Sequence, residues 1–245
     1  MIQRLLEVVR RQEPAVLFTV LEGEQVGRKL LVLENGERHG DAPQGLAKQA
    51  DELLRAGRSR LVAHDEARVF ADVYGPPLRL LVFGAVDTAE ALCAAAKQLG
   101  WRTIVADARG KFATPERIPS ADELVVAWPE ETLAQVHPDH RTAIVVLTHD
   151  DKFDVPALAG ALETEAFYIG ALGSRRNQAR RRERLLEEGL EESALERISG
   201  PCGLDIGADT PAETAISILA EILATRVSRE GGPLRGSNQR IHAEA

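Results

Sequence analysis

Cysteine is nearly missing from this sequence: Cys93 and Cys202 are the two in 245 residues. Two distant thiols build neither a disulfide framework nor a zinc constellation, so no metal site is expected and a reducing, cytoplasmic setting is the simplest home. Long apolar runs are missing too. None approaches the roughly 20 residues needed to span a bilayer. The opening stretch, Met1 to Gln12, is broken by arginines and a glutamate and reads as an amphipathic helix, not a signal peptide. Nor is there an excess of positive charge. Lys and Arg total 30 against 38 Asp and Glu, a formal net charge of −8. That balance argues against general nucleic-acid binding, which needs a broad basic surface.

What remains is an ordinary globular composition, 44% hydrophobic and 28% charged, long enough for one large domain or two small ones. The character of the chain changes at Gly75-Pro76-Pro77, where two prolines interrupt any regular element. A boundary there leaves residues 1–75 as a small N-terminal α+β domain. Helices are expected at Gln3 to Arg11 and Gly45 to Ala56. Strands are expected at Ala15 to Leu21, Arg28 to Leu33, Arg60 to Ala63 and Arg68 to Val73, with a turn at Asn35-Gly36.

Residues 76–230 alternate apolar strands with helices. Strands are expected at Leu78 to Phe83, Arg102 to Ala106, Glu123 to Ala127, Thr142 to Leu147 and Ala166 to Ile169. Helices fall at Thr88 to Gly100, Glu130 to Val136, Asp154 to Leu162, Ser174 to Glu188 and Pro211 to Arg226. This alternation predicts an α/β fold, a Rossmann-like doubly wound parallel sheet covered on both faces. Ligands in such folds bind beyond the carboxyl ends of the strands. Residues 231–245 are polar and aperiodic and read as a flexible tail.

One strand end carries the strongest signal. Ile169 to Arg176 reads I-G-A-L-G-S-R-R, a strand ending in glycines and running into an arginine-rich helix. Gly170 and Gly173 would let a ligand approach the backbone, Ser174 caps the helix, and the free N–H groups of its first turn suit an anion. Arg175 and Arg176 lie beside that turn. For Arg180, Arg181, Arg182 and Arg184 a solvated helix face paired with Glu183, Glu187 and Glu188 is the competing explanation.

Other strand ends offer less. After the first Rossmann strand comes Gly84-Ala85-Val86-Asp87, where Val86 stands at the second glycine of a dinucleotide fingerprint and Asp87 adds negative charge. Both count against ordinary NAD(P) binding. Asp107 sits where an acid would grip ribose hydroxyls, and equally where a turn aspartate belongs. Thr148-His149-Asp150-Asp151 could bind a metal or move a proton, but a lone histidine is weak evidence; Asp154 reads as a helix cap. The loop Gly200-Pro201-Cys202-Gly203-Leu204-Asp205-Ile206-Gly207 leads into Thr210-Pro211-Ala212-Glu213, a capping box with proline at the first helical position. Cys202 is read either as a reactive thiol or as a small buried hydrophobe, and Cys93 as packing.

Three stretches together, Tyr168 to Arg176, Gly200 to Glu213 (G-P-C-G-L-D-I-G-A-D-T-P-A-E) and Ser217 to Ile222 (S-I-L-A-E-I), resemble the xanthine dehydrogenase accessory factor family, XdhC/CoxI. The resemblance runs from about Leu78 to Arg226 and includes V-A-D-A-R (Val105 to Arg109) and L-T-H-D (Leu147 to Asp150). It implies a Rossmann-like C-terminal domain and a part in maturing molybdenum hydroxylases such as xanthine or carbon monoxide dehydrogenase. Members of the family bind molybdenum cofactor, as molybdopterin or its cytidine dinucleotide, protect it during sulfuration and deliver it to the apoenzyme. Two departures stand out: Gly84-Ala85-Val86-Asp87 replaces the family's G-A-G-H turn, and no serine-proline segment or Gly-Gly-Cys element occurs between Val16 and Ala56.

The resemblance thus implies a non-catalytic cofactor chaperone. Gly170, Gly173, Ser174, Arg175 and Arg176 would hold the phosphate, with Asp205 and Gly207 as the adjoining wall. Gly84, Asp107, Arg109, His149 and Cys202 would line the crevice. Its implied partners are an apo molybdenum hydroxylase and a cysteine desulfurase; a homodimer is compatible with the sequence, which identifies no face for it. Two other functions stay open, a nucleotide-dependent oxidoreductase using NAD(P) or a flavin, and a scaffold module that has lost cofactor binding.

Overall fold

The computed structural model describes residues 1–236; the expected tail lies, from residue 237 on, outside the described residues. The chain divides into two compact units that meet between Pro76 and Pro77, and the described residues from Gly232 to Gly236 group with the first.

The first unit is an antiparallel sheet with helices on both faces. Helix α1 (Ile2–Arg11) precedes strands β1 (Ala15–Val20), β2 (Lys29–Leu33) and β3 (Arg38–Gly40), then helix α2 (Ala50–Ala56) and strands β4 (Arg60–His64) and β5 (Ala67–Tyr74). The strand order is β3-β2-β1-β5-β4. Alternation along β1 sends Val16, Phe18 and Val20 against Leu46, Ala50 and Leu53, and Ala15 and Leu17 to the opposite face with Val8 of α1. Gly36 takes φ +82° in the turn before β3, and the Asn35 side chain accepts the Glu37 N–H at 2.9 Å. The expected helix from Gly45 begins instead as a 3-10 segment, Gln44–Gln49.

The second unit alternates strand and helix: β6 (Arg79–Phe83), α3 (Asp87–Gln98), β7 (Arg102–Ala106), β8 (Glu123–Val125), α4 (Pro129–Val136), β9 (Thr142–Val146), α5 (Asp151–Leu162), β10 (Tyr168–Ala171), α6 (Arg175–Glu187), α7 (Glu192–Leu195), β11 (Ile198–Ser199) and α8 (Pro211–Thr225). Its sheet runs β11-β10-β9-β6-β7-β8, with every pairing parallel. That is the Rossmann order, reversing direction between β6 and β9.

The inner residues of the central strands are apolar because both faces are covered. Leu80, Val82, Val105, Ala143 and Val145 pack against Leu92 and Cys93 of α3 and Ile218 and Ile222 of α8. Leu81, Phe83, Ile104, Ile144 and Val146 face Val136, Leu158 and Leu185, from α4, α5 and α6. Each fully buried leucine or isoleucine contributes roughly 1.5–3 kcal/mol over the exposed side chain.

Two expectations from sequence are corrected by the structure. Helix α5 begins at Asp151, three residues before the anticipated start, and Asp150 caps it by accepting the Lys152 N–H at 3.1 Å. Asp154 is therefore not the cap; it lies inside the helix, buried. The short strand β11 and helix α7 have no counterpart among the expected elements.

Candidate functional site

All six strands of the second unit point the same way, so the loops leaving them share one edge. Gly84 follows β6, Asp107 and Arg109 follow β7, His149 follows β9, Gly173 to Arg176 follow β10, and Cys202, Asp205 and Gly207 lie in the loop that leaves β11. Gly170 alone is inside a strand.

At the strand-order reversal, Gly84 has φ +105°, and a Cβ there would lie 2.7 Å from Thr148 Cγ2. The loops after β6 and β9 thus touch backbone to side chain. Asp107 is occupied by its neighbours. Its Oδ2 accepts the Ala85 N–H at 3.1 Å and Arg109 Nη2 at 2.9 Å, while Oδ1 accepts both Arg109 N and Nε at 2.9 Å. Burial pushes the carboxyl up, but the Arg109 side-chain bonds and the backbone N–H groups of Arg109 and Ala85 outweigh it and hold the group below its ordinary range. An acid so engaged braces the Gly84-Ala85 turn.

The space beside it is filled by an aromatic and cationic stack that sequence reading missed. The Arg109 guanidinium lies over Phe112 at 4.4 Å and over Phe153 at 5.4 Å. Phe153 stacks on Trp128 with ring centroids 5.1 Å apart, and Lys152 Nζ sits 4.8 Å from the Trp128 ring. These residues come from the loops after β7 and β8 and from the first turn of α5, so spacing along the chain carries no sign of their meeting. Asp107 and Arg109 are thus engaged with this chain's own groups. Asp87 and Glu90 in the first turn of α3 add charge of the wrong sign for a pyrophosphate.

The start of α6 differs. Ser174 Oγ accepts the Asn177 N–H at 3.2 Å and caps the helix as the sequence predicts. Gly173 has φ +136°, with no atom within 3.4 Å of where its Cβ would stand. The first turn holds no acidic residue. Among the described residues, Arg175 and Arg176 are exposed and their side chains make no ion pair or hydrogen bond. The next arginines are consumed: Arg180 pairs with Asp151 at 3.1 Å, Arg182 with Glu192, and Arg184 with Glu187 at 3.2 Å. Arg181 is buried. Its Nη2 donates to Asp154 Oδ2 at 2.5 Å and to the Leu172 carbonyl at 3.2 Å, and its Nη1 to Gln178 Oε1 at 2.7 Å; Thr148 Oγ1 donates to the other Asp154 oxygen. The paired, solvated face therefore describes Arg180, Arg182 and Arg184, of which, among the described residues, only Arg184 takes one of the expected glutamates as its partner, and Arg181 departs from it.

Gly170 is small for another reason than ligand approach. A Cβ there would stand 2.6 Å from Tyr168 Cε1, so the glycine makes room for the tyrosine ring. Tyr168 donates its hydroxyl to Glu221 of α8, which also accepts the Gly203 N–H at 2.8 Å. Ser217, one turn earlier on α8, donates to the Leu204 carbonyl at 2.6 Å, and a Cβ on Gly203 would collide with Ser217 Oγ. Ser217 and Glu221 thus clasp the Gly200–Gly207 loop from one helix face. Cys202 is buried within this arrangement, its N–H donating to the Ala171 carbonyl at 3.0 Å; burial and then Glu221 push its thiol up to about 12. That favours the reading of Cys202 as a small buried hydrophobe. Asp205 and Gly207 are exposed in the same loop. His149 is exposed and, among the described residues, makes no hydrogen bond. Thr210 and Glu213 form the expected capping box. Among the described residues no helix is long and apolar enough to cross a membrane, and no three His, Cys, Asp or Glu side chains gather to hold an ion.

This geometry can be set beside known proteins. The chain is 36% identical over 151 residues to a probable xanthine dehydrogenase subunit of Bacillus subtilis, covering 62% of this chain and 44% of that protein. It is 29% identical over 157 residues to the molybdenum cofactor insertion chaperone PaoD of Escherichia coli, covering 64% and 43%. It is 36% identical over 165 residues to YqeB of Escherichia coli, an uncharacterized protein, covering 67% and 30%. The chain thus spans less than half the length of these curated relatives. A solved structure described as a xanthine dehydrogenase from Bacillus halodurans superposes with a TM-score of 0.70 at 26% identity, over 93% of this chain and 67% of that one. The family model described as the XdhC Rossmann domain matches residues 80–222, from the first parallel strand through α8 and its clasp, and the chain belongs to that family.

Proposed function

We propose that this chain is a non-catalytic accessory factor that binds molybdenum cofactor at the carboxyl edge of its parallel sheet and passes it to an apo molybdenum hydroxylase of the xanthine dehydrogenase type. The observation that carries the reading is the start of α6: capped by Ser174, open at Gly173, free of acid in its first turn, and flanked by two unpaired arginines. One relative's name as a cofactor insertion chaperone and another's as part of a xanthine dehydrogenase support it.

The residues present suit the phosphate end of the cofactor. With the Asn177 N–H taken by Ser174, the N–H groups of Arg175 and Arg176 and their two guanidinium groups are left for an anion. Cytidine dinucleotide, with a second phosphate, would engage both arginines. Bound cofactor supplies the redox centre that the client enzyme uses. This chain's part is to hold the phosphate, to limit water at the edge through the Trp128, Phe153 and Arg109 stack, and to present the cofactor to the client. No ready thiolate is offered, because burial pushes both Cys93 and Cys202 up to about 12. Sulfur would then reach the cofactor from a partner, and a cysteine desulfurase is the class that fits.

The test is anaerobic titration of purified protein with molybdenum cofactor, beside Arg175→Ala/Arg176→Ala and Cys202→Ser, with NAD(P)H and a flavin as controls. Micromolar binding that weakens at least about tenfold, some 1.4 kcal/mol, in the arginine variant and survives in Cys202→Ser is expected. Tight NAD(P)H binding with no cofactor binding would favour an oxidoreductase, and binding of neither a scaffold.

A further inference from the structure

The connection from β10 to α6 is held from behind by the helix it feeds. Gln178, one turn into α6 and half-buried, donates its Nε2 to the Ala171 carbonyl at 2.8 Å, and the Cys202 N–H reaches the same oxygen at 3.0 Å. Arg181 Nη2 holds the next carbonyl, that of Leu172, at 3.2 Å, and Gln178 Oε1 accepts Arg181 Nη1 at 2.7 Å. A trans peptide is a rigid plate whose C=O and N–H point opposite ways. The plate joining Ala171 to Leu172 is therefore pinned at both ends, by Gln178 at its carbonyl and by the Val146 carbonyl, which accepts the Leu172 N–H at 2.9 Å. The plate joining Leu172 to Gly173 is pinned by Arg181, which turns the Gly173 N–H the other way. Among the described residues that N–H makes no hydrogen bond. Gly173, at φ +136°, brings no side chain to steady the turn, so the two held carbonyls supply the order. Gly200 sets a condition on this. A Cβ there would stand 2.6 Å from Gln178 Oε1 and 2.9 Å from its Cδ, so the loop leaving β11 must begin with a glycine for the Gln178 amide to keep its place.

We propose that Gln178 is a positioning residue for the phosphate cradle, and that Gly200 is the point at which the Gly200–Gly207 loop acts on it. By fixing the two peptides that enter the turn, Gln178 sets the N–H groups of Gly173, Arg175 and Arg176 to meet a phosphate or pyrophosphate ester together. This deepens the function proposed above and rests on it. The side chain's oxygen and one of its N–H groups are spent inside the chain, so its effect runs through the backbone. A turn ordered before the ligand arrives loses less entropy on binding, which is where the affinity comes from. The loop shares in this, because Cys202 holds the same Ala171 carbonyl that Gln178 does.

The experiment compares the full-length protein with Gln178→Met, which keeps the length and helix preference but offers no N–H, and with Gln178→Ala, Gly200→Ala and the last two combined. Backbone amide exchange is read first by NMR, without ligand. In Gln178→Met the Leu172 amide should exchange about threefold or more faster relative to those of Tyr168 to Gly170, whereas loss of stability alone would speed all of them alike. Molybdenum cofactor and inorganic pyrophosphate are then titrated. Binding should weaken about three- to tenfold in Gln178→Met, with Arg175 and Arg176 still in place. Gly200→Ala should weaken it in the parent and add nothing in the Gln178→Ala background, where the obstructed side chain is gone. Unchanged relative exchange at Leu172, parental affinity in folded Gln178→Met, or an equal effect of Gly200→Ala in both backgrounds would each overturn the proposal. A parent that binds neither cofactor nor pyrophosphate, while Leu172 still responds to Gln178, would sink the cofactor reading and leave the ordering of the turn by Gln178 standing.

Discussion

Arg181 Nη2 lies 2.5 Å from Asp154 Oδ2, with the two side chains 4% and 1% exposed, so α5 and α6 are tied by an ion pair inside the protein. Removing one partner strands the other charge. Asp154→Ala is expected to cost roughly 3–5 kcal/mol in urea unfolding. An apolar pair of similar volume, Asp154→Leu with Arg181→Met, should recover most of that loss. Equal damage from the single and double changes would show that the pair does more than balance charge.

Asp107 leads to a pH dependence. Its folded-state pKa is depressed, so the unfolded chain takes up the proton first as pH falls. The stability it contributes is present in full above the unfolded value of about 3.9, and is lost as pH drops through the lower folded value. Asp107→Asn should therefore be less stable than the parent by about 1–3 kcal/mol at pH 7, and the gap should close at strongly acidic pH. A gap that stays constant from pH 7 down to strongly acidic pH would contradict this assignment.

Gly84 and Gly203 are expected to resist substitution more than Gly207. All three have positive φ, but a Cβ would meet Thr148 at Gly84, Ser217 at Gly203, and nothing within 4 Å at Gly207. Gly207→Ala should cost about 1 kcal/mol from backbone strain alone. Gly84→Ala and Gly203→Ala should exceed that, and Gly203→Ala should be partly relieved by Ser217→Ala. Thermal unfolding of the four variants decides it.

Neither cysteine should react in the native protein. Both are buried, and both thiols are pushed up to about 12. Labelling by a thiol reagent at pH 8 should be slow and should follow the rate of unfolding. Fast labelling of Cys202 in folded protein would reopen a role for it in sulfur chemistry.

Arg175→Glu/Arg176→Glu should leave stability within about 0.5 kcal/mol of the parent, since neither side chain holds anything in place. Binding of a phosphate-bearing cofactor should be lost. A large drop in unfolding midpoint would point to a structural role instead.

Much of the architecture is legible in the sequence because it is local. The run through Leu80 to Phe83 is apolar on both faces, which announces a covered parallel strand, and Ser174 and Thr210 announce helix starts by their own chemistry. Strand β11 is not legible, since two residues carry no period and are placed by pairing with Ile169 and Gly170 and by the packing of Ile198. Asp154 reads as a cap because aspartate favours that place; its true partner stands 27 residues on. Gly170 reads as an opening for a ligand because the bulk of Tyr168 against it is invisible in one dimension. The Trp128, Phe153 and Arg109 stack is hidden for the same reason, being assembled from three separate loops and turns.

The lengths of the strands have one more consequence. The outermost members of the parallel sheet, β8 with three residues and β11 with two, are also its shortest. A long flat outer strand is a row of unsatisfied N–H and C=O groups on which another chain can polymerise. Here each flank offers only a residue or two of such template. The parallel sheet thus gives misfolded neighbours little to grow on, less than the antiparallel sheet, whose outer strand β4 runs for five residues.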